Sequence, residues 1–221
     1  MELGFIIYGS FEMSRIVFLV DGFNLYHALD YSPNSRNPKQ YNKYKWLSLT
    51  KLAQAYITSR DKVAGIYYFT TLATWDRGKM ARHKLFIRAN EIQGVQVVYG
   101  EFKRKQKRCN LCHKFFWTVE EKQTDVNIAL KLFQLAVQDI YDKAIIISGD
   151  TDLLPAVKTV QTTFPTKSIG VVIPIGRASE DFKNNADFHY KMKEHQLQTS
   201  RFQDTIVLSD ESTIECPPKW R

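Results

Sequence analysis

The sequence lacks any apolar run that approaches the ~20 residues needed to cross a membrane as a helix. Met1 to Met13 is too short and too mixed for a secretory signal peptide, and Glu2 stands where such a peptide needs basic residues. The three cysteines are too few, and odd in number, for a disulfide framework, which fits a reducing compartment. These absences predict a cytoplasmic protein that has no membrane segment.

The sequence also lacks internal repeats and any linker that would divide the chain. A length of 221 residues with 44% hydrophobic residues suits one α/β domain that buries a sizeable core. We expect this domain at residues 14–198, with a basic insertion at 103–122 and a C-terminal extension at 199–221. The net charge of +8 favours a polyanionic partner, although charge alone also fits a soluble protein that happens to be basic.

Short apolar segments alternate with helical patterns along the chain. RIVFLVD, at Arg15 to Asp21, is too short for a buried helix and predicts a fully buried strand. Similar segments predict strands at 62–70, 94–102, 144–148 and 168–173. Helical spacing is found at 24–29, 46–57, 76–92, 124–140, 152–161 and 186–197. In helix 124–140, one face carries the apolar side chains of Val126, Leu130, Phe133 and Val137. The alternation predicts a parallel sheet covered by helices on both faces.

Acidic residues stand where two of the predicted strands end. Asp21 closes the first strand in DGFN, and Asp150 and Asp152 follow the fourth strand in SGDTD. The carboxyl ends of parallel strands are where open α/β sheets bind ligands. Asp125 begins the long helix in TDVN. Each acid alone also has a structural explanation, as a turn residue, a helix N-cap or a charge at the positive end of a helix.

Taken together, the four acids point to a bound cation. Two carboxylates ~5 Å apart repel each other by ~3 kcal/mol at an effective dielectric constant of about 20, and further acids add to this cost. A divalent cation or a shared proton would relieve it. Carboxylate oxygens suit Mg²⁺ or Mn²⁺, and such ions together with a phosphodiester make a site for hydrolysis.

Four segments within residues 15–195 resemble the NYN domain of the PIN-like nuclease superfamily, in its LabA-like branch. They are VDGFN at 20–24, EKQTDVNIAL at 121–130, IISGDTDLLPAV at 146–157 and GVVIP at 170–174. The resemblance implies a PIN-like three-layer α/β/α fold, whose parallel sheet has the strand order 3-2-1-4-5. It also implies a metal-dependent ribonuclease site that acts on RNA. The catalytic residues that it implies are Asp21, Asn24, Asp125, Asp150 and Asp152.

Chemical roles for these residues can be proposed from their side chains. Asp21 and Asp150 are the expected direct ligands of Mg²⁺ or Mn²⁺, while Asp125 and Asp152 would hold a second ion or orient its waters. Asn24 offers both a donor and an acceptor to a water or a phosphate. We expect the hydroxyl groups of Thr124 and Ser148 to support the acids through hydrogen bonds.

The insertion at 103–122 is basic and then aromatic. KRKQKR, at 103–108, has five basic residues in six and is either a solvated loop or a nucleic-acid-binding arm. The basic residues of such an arm are Lys103, Arg104, Lys105, Lys107 and Arg108. The aromatic residues of FFW, at 115–117, can stack on unpaired RNA bases or pack as local core, and packing is the favoured reading for Trp117.

Cys109 and Cys112 have the CxxC spacing of a zinc site, but structural zinc needs four ligands. His113, Cys216 or a distant histidine could complete the site, and so could a second subunit in a homodimer. A redox pair or two inert thiols are the alternatives.

Two other enzyme classes share parts of this pattern. The DxD at 150–152 resembles the nucleophile pair of haloacid-dehalogenase-type phosphatases, but that pair belongs after the first strand. Toprim nucleases also use DxD, but their first strand ends in Glu where this chain has Asp21. The remaining alternative is a non-catalytic RNA-binding or regulatory protein on the same fold. The presence of all four acids argues against it.

Overall fold

A six-stranded parallel sheet forms the centre of the computed structural model, which describes residues 13–30 and 40–221. The prediction about Met1 to Met13 therefore lies almost wholly outside the described residues. No helix in the described ranges is both long and apolar enough to cross a lipid bilayer.

The strands follow one another as β1 (Ser14–Asp21), β2 (Asp61–Thr70), β3 (Gln96–Tyr99), β4 (Glu101–Arg108), β5 (Phe115–Lys122), β6 (Lys143–Ile147), β7 (Ser168–Ile173), β8 (Phe188–Lys191), β9 (Thr205–Val207) and β10 (Thr213–Glu215). The helices are α1 (Gly22–Asp30), α2 (Leu49–Gln54), α3 (Arg77–Glu91), α4 (Thr124–Val137), α5 (Leu154–Thr163), α6 (Glu180–Asn185) and α7 (Glu194–Ser200). Short 3-10 helices lie at Asn42–Lys45, Thr151–Leu153 and Pro218–Trp220.

The central sheet has the order β3-β2-β1-β6-β7-β8, and all of its neighbours are parallel. Counted along the chain, its strands run 3-2-1-4-5-6. The predicted order 3-2-1-4-5 is therefore confirmed, and a sixth strand extends the edge. β1 and β6 lie side by side where the order reverses, with Val20 opposite Ile147.

Alternate residues of β1 supply two hydrophobic cores. Ile16, Phe18 and Val20 pack into the core on one side of the sheet, and Val17 and Leu19 pack into the core on the other. Helices cover both sides, as expected for a parallel sheet whose strands are apolar throughout. The C-terminal segment contributes further buried residues to the first core, namely Phe202, Ile214, Cys216 and Trp220.

The predicted helix at 186–197 is wrong in its first part, because residues 188–191 form strand β8 and helix α7 begins only at Glu194. β8 pairs with β7, and Phe188 lies opposite Gly170. A Cβ atom at Gly170 would lie only 2.0 Å from the Phe188 ring, so the missing side chain makes room for that ring. Helical spacing in the sequence gives no sign of this contact between distant residues.

The apolar face that sequence spacing identifies on α4 is exposed. Val126 and Leu130 are 60% and 64% exposed, whereas Ile128, Leu132 and Leu135 are buried against the sheet. The helix is apolar on two faces, so periodicity alone could not show which of them packs on the sheet.

The insertion at 103–122 is an antiparallel hairpin, β4–β5, that is separate from the central sheet. The predicted third strand at 94–102 is therefore split at Gly100 between β3 and β4. A Cβ atom at Gly100 would lie 2.8 Å from Thr124 Oγ1 and 2.9 Å from Lys122 O. The absence of a side chain there lets the base of the hairpin pack closely against the start of α4.

Candidate active site

The side chain of Asp21 is buried where β1 ends, and it is 3% exposed. One of its carboxylate oxygens accepts a hydrogen bond from Asn24 N at 2.9 Å, and the other accepts one from Ser148 Oγ at 2.8 Å. Burial raises the pKa of Asp21 to about 6, and the charges of Asp125 and Glu121 add to this effect while the two hydrogen bonds oppose it. The carboxylate is therefore held rigidly in a place where its negative charge is poorly solvated.

The two strand-end turns are joined to each other by hydrogen bonds. Ser148, which donates to Asp21, also accepts a hydrogen bond from Asp150 N at 3.0 Å. The side-chain oxygen of Asn24 accepts from Gly149 N at 3.1 Å. The expected supporting role of Ser148 is thus present in the geometry, and the position of Asp150 relative to Asp21 is fixed.

Asp150 and Asp152 belong to the turn that follows β6. Asp150 Oδ1 accepts from Asp152 N at 3.1 Å, so Asp150 caps the 3-10 helix that begins with Thr151. Asp150 therefore does have the structural role of a helix cap. This role uses only one of its carboxylate oxygens and leaves the second one available to a ligand.

One cavity of about 410 Å³ joins most of the predicted site residues. Asp21, Asn24, Asp125 and Asp150 all line it, whereas Asp152 is exposed outside this lining. Partial desolvation raises the pKa of Asp125, and the negative charges of Asp150 and Asp152 raise it further. Asp152 therefore acts on the site through its charge. The other lining residues are Phe23, Val119, Glu120, Glu121 and Lys122.

Glu121 is a further acid at this cavity that the sequence did not assign to the site. Its carboxylate accepts hydrogen bonds from the hydroxyl of Thr124 and, at 3.3 Å, from that of Thr71. Burial raises its pKa, these hydrogen bonds oppose the rise, and the charge of Asp125 adds to it. Its position three residues before Thr124, inside the EKQTD segment, is the sequence signal that could have identified it.

Arg177 lies beside the site on the loop after β7. A Cβ atom at Gly149 would meet the Arg177 Cβ at 3.4 Å and the Asn24 Oδ1 at 3.6 Å, so the Arg177 loop packs on the turn before Asp150. No pattern in the sequence marks this arginine, because the loop reaches the site only through the order of the strands.

The donor set of this cavity consists of carboxylate oxygens. Within the described ranges, no three His, Cys, Asp or Glu side chains converge into a ready-made metal-binding group. Mg²⁺ commonly keeps several waters and is held by one or two carboxylates together with substrate phosphates. The buried carboxylate of Asp21 and the neighbouring Asp150 fit this mode of binding better than they fit an all-protein cage.

A second cavity of about 520 Å³ adjoins the acidic one, and both are lined by Phe23 and Val119. At their boundary, the Phe102 ring lies 4.6 Å from Trp75 and 6.5 Å from Phe23, between ring centroids. Trp75 and Phe23 are exposed. Further in, the walls are formed by aromatic residues and by basic residues of α3, including Tyr26, Tyr44, Tyr68, Phe86, Lys79 and Arg82. We call this the aromatic cavity.

The hairpin places its predicted basic residues on two different faces. The pairing of β4 with β5 puts Lys103, Lys105 and Lys107 on one face, together with Glu120. Glu120 forms ion pairs there with Lys107 at 2.6 Å and Lys105 at 3.7 Å. Hydrogen bonds from Lys107 and then Lys122 lower the pKa of Glu120 to about 2.

Arg104 and Arg108 lie on the opposite face of the hairpin, whose base lines both cavities, whereas the lysine face reaches only the acidic one. The arginine face also carries Phe102 and Glu121 at its base. Farther out, the Arg104 guanidinium lies 5.7 Å from the centroid of the Trp117 ring. Trp117 is 63% exposed, so its favoured interpretation as local core is wrong.

Cys109 and Cys112 lie in the turn at the tip of the hairpin, away from the acids. Both are free thiols, the first half-buried and the second exposed. Hydrogen bonds from the backbone N–H groups of Cys112 and Leu111, and from the Cys112 side chain, lower the pKa of Cys109.

The model of the family described as NYN domain matches residues 15–193. A 6-hydroxy-3-succinoylpyridine 3-monooxygenase, HspA, from Pseudomonas putida is 30% identical over an alignment of 198 positions, and the match covers 74% of this chain and 60% of that relative. The chain therefore spans less than two thirds of this relative. The crystal structure of a protein of unknown function from Vibrio parahaemolyticus has a TM-score of 0.53 and 21% identity, and the match covers 84% of this chain and 97% of that one. This structural likeness shows the fold alone.

Proposed function

Because the chain belongs to the NYN domain family, a PIN-like nuclease-superfamily domain, we propose that it is a metal-dependent nuclease that hydrolyses phosphodiester bonds of RNA. The observation that carries the proposal is the grouping of Asp21, Asp125 and Asp150 around one cavity. None of the three takes part in an ion pair with another described residue. Clustered carboxylates that have no basic partners repel one another, and a bound cation would relieve this repulsion.

Asp21 and Asp150 would hold Mg²⁺ or Mn²⁺, Asp125 would hold a second ion or orient water, and Asp152, outside the cavity lining, would act through its charge. When bound, such an ion polarises the phosphodiester and promotes the ionisation of water. The contribution of the protein is to fix the carboxylates. The hydroxyl of Ser148 and the backbone of Asn24 restrain both oxygens of Asp21, which removes its freedom to turn away from the substrate.

Asn24 is placed to bind the phosphate directly. Its side-chain oxygen is occupied by Gly149 N, which leaves its Nδ2 group to donate into the cavity that it lines. Arg177, on the loop packed against Gly149, supplies a positive charge on the same side. Both groups would orient a phosphate without adding to the negative charge of the site.

The surroundings of the acids favour single-stranded RNA as the substrate. Bases of a single strand can stack on aromatic side chains, and the aromatic cavity opens beside the acids with Phe23 and Trp75 exposed at its rim. From there, Arg104 and Trp117 extend the same surface along the hairpin. A strand could thus place one base in the aromatic cavity and its phosphate at the carboxylates.

The aromatic cavity also favours a second candidate function. HspA is named as a monooxygenase of a succinoyl-substituted hydroxypyridine, and the cavity has room for a free heteroaromatic ring of that kind. The cluster of acidic residues favours the nuclease over the monooxygenase. An anionic small molecule would be repelled by several carboxylates beside its binding site. A non-catalytic RNA-binding protein is disfavoured for the same reason, since clustered acids repel phosphates unless a cation is bound.

The decisive experiment is to incubate the full chain with end-labelled single-stranded RNA, duplex RNA and single-stranded DNA. We expect cleavage of single-stranded RNA with Mg²⁺ or Mn²⁺ and none with EDTA. RNA that is bound but left intact with either metal would instead support the non-catalytic alternative. A hydroxypyridine that binds in competition with RNA and is oxidised would support the second candidate.

A further inference from the structure

The tip of the β4–β5 hairpin is a tight turn built around a sulfur atom. Cys109 N donates to Lys114 O at 2.8 Å, and His113 N donates to Cys109 O at 2.9 Å, which closes the turn. Inside it, the backbone N–H groups of Leu111 and Cys112 both donate to Cys109 Sγ. The Cys112 thiol lies within hydrogen-bonding reach of the same sulfur. The two sulfur atoms are therefore neighbours, as two ligands of one metal ion must be.

The residue that follows the second cysteine has an uncommon backbone conformation. His113 has a φ of 56°, in the left-handed region that non-glycine residues seldom adopt. Such conformations persist where the surroundings impose them, and they are concentrated at functional sites. Here the conformation reverses the chain directly after Cys112, whose thiol is exposed.

The chain itself does not complete a metal site at this position. Every cysteine and histidine in the sequence lies within the described ranges, and no three ligand-type side chains converge there. His113, although adjacent in sequence, is thus not placed as a third ligand. Cys216 is fully buried in the first core, where Arg201 is its neighbour, so it is not available at the exposed hairpin tip.

We propose that Cys109 and Cys112 form half of a tetrahedral zinc site, which the same two cysteines of a second copy of this chain complete. Structural zinc takes four ligands in this geometry, and four thiolates are a common set. A two-fold axis through the zinc would join two hairpins tip to tip. This inference does not depend on the nuclease function, because the hairpin tips lie outside both cavities.

The charges and the exposed side chains at the hairpin tip favour a second copy of this chain as the binding partner. Basic residues flank the turn, among them Lys107, Arg108 and Lys114, and two such tips would repel each other without a counter-charge. A zinc ion with four thiolate ligands carries a net negative charge, which would supply this counter-charge. Leu111 is 94% exposed and Phe115 is 65% exposed beside the thiols, and a second tip would cover both of them.

The test uses the full chain, purified in a phosphine reductant without chelator. Zinc is measured by elemental analysis, and the molar mass is measured by light scattering after size exclusion. We expect one zinc for every two chains and a dimer. A strong chelator should convert the dimer to a monomer, and added zinc should restore it. Substitution of zinc by Co²⁺ should give the intense visible absorption of tetrahedral thiolate coordination.

Cys109→Ser and Cys112→Ser should each abolish zinc retention and leave a monomer whose melting temperature matches that of the metal-free wild type, because the tip lies outside both hydrophobic cores. Asn110→Ser, in the same turn, is the matched control and should remain a zinc-bound dimer. His113→Asn should also remain one, since Asn tolerates the left-handed conformation. The proposal is overturned by one zinc per monomeric chain, by a dimer that survives chelation, by loss of zinc in His113→Asn, or by no zinc uptake.

Discussion

The acidic residues at the two ends of the central sheet differ in their surroundings. At the amino end, Asp142 accepts hydrogen bonds from the backbone and guanidinium of Arg15, with one ion-pair distance of 2.7 Å. Asp139 pairs with Lys167 at 2.6 Å and with Arg15 at 3.1 Å. At the carboxyl end, Asp21 is more deeply buried than either of these acids and has no basic partner among the described residues.

The pKa shifts follow the same division. Hydrogen bonds from Arg15 lower the pKa of Asp142, and those from Lys167 and Arg15 lower that of Asp139. Burial raises the pKa of Asp21, and desolvation with neighbouring acids raises that of Asp125. One sheet thus contains acids that stabilise the fold and acids that destabilise it. The difference supports the proposal that the acids at the carboxyl end serve a ligand, because structural carboxylates are usually paired with basic groups.

Among the substitutions that test this comparison, Asp150→Asn should have the largest effect, which is a loss of RNA cleavage. Asn keeps the shape and can cap the 3-10 helix as Asp does, so folding should be retained. Cleavage of labelled single-stranded RNA should fall by roughly 100-fold or more, since loss of a metal ligand removes several kcal/mol of transition-state stabilisation. RNA binding should largely survive.

Asp142→Asn, at the amino end, is the matched control for Asp150→Asn and should cleave RNA at the wild-type rate. Wild-type cleavage by Asp150→Asn would show that the carboxyl-end acids are not the active site.

Asp21→Asn should stabilise the metal-free protein by ~1–3 kcal/mol at neutral pH, because it removes a buried charge whose pKa is raised from 3.8 to about 6. An acid with a raised pKa in the folded state destabilises the fold as pH rises between these two values. The gain should therefore grow from pH 4 to about 6 and then stay constant. Denaturant unfolding in EDTA across this range measures it, and a gain that does not change with pH would contradict the assignment.

Asp142→Asn should have the opposite effect on stability, with a loss of ~1–2 kcal/mol at neutral pH after allowance for its partial exposure. The pKa of Asp142 is lowered in the fold, so its contribution is present at neutral pH and is lost as pH falls through that lowered pKa. The same unfolding experiment at neutral and acid pH should show the destabilisation disappear at acid pH.

The two faces of the hairpin allow a smaller and finer test. Replacing Arg104 and Arg108 with Ala removes two charges from the face whose base lines both cavities. Replacing Lys105 and Lys107 with Ala removes two charges from the other face, where Glu120 already engages them. RNA binding at several salt concentrations should weaken several-fold more for the arginine pair, and each lost phosphate contact should reduce the salt slope by ~0.7. If both double variants lose the same RNA affinity, neither face of the hairpin is the preferred RNA-binding face.

The sequence predicts the centre of the site better than its surroundings. Asp21 and Asp150 each follow an apolar strand, and the strand order expected from the family resemblance makes those strands neighbours, so their proximity was foreseeable. Their catalytic role stays a prediction. Glu121 and Arg177 escaped assignment because they reach the site through a hairpin base and a loop that carry no periodic pattern.

The remaining errors have packing causes that single-sequence periodicity does not contain. Strand β8 depends on the fit of Phe188 over Gly170, a contact between two segments. The buried face of α4 depends on how that helix sits on the sheet, because Leu130 and Leu132 are equally apolar but only Leu132 is buried. The two faces of the basic insertion became visible only when the pairing of β4 with β5 was known.

The hydrogen bond between Ser148 and Asp21 joins residues that are 127 positions apart in the chain. Such a distant contact forms only after much of the chain has been ordered. A ribosome that synthesises this protein therefore releases Asp21 long before Ser148 and Asp150 exist to position it. Between the synthesis of residue 108 and that of residue 150, the growing chain carries the basic segment but no assembled carboxylate pocket, so the proposed activity can arise only in the last third of translation.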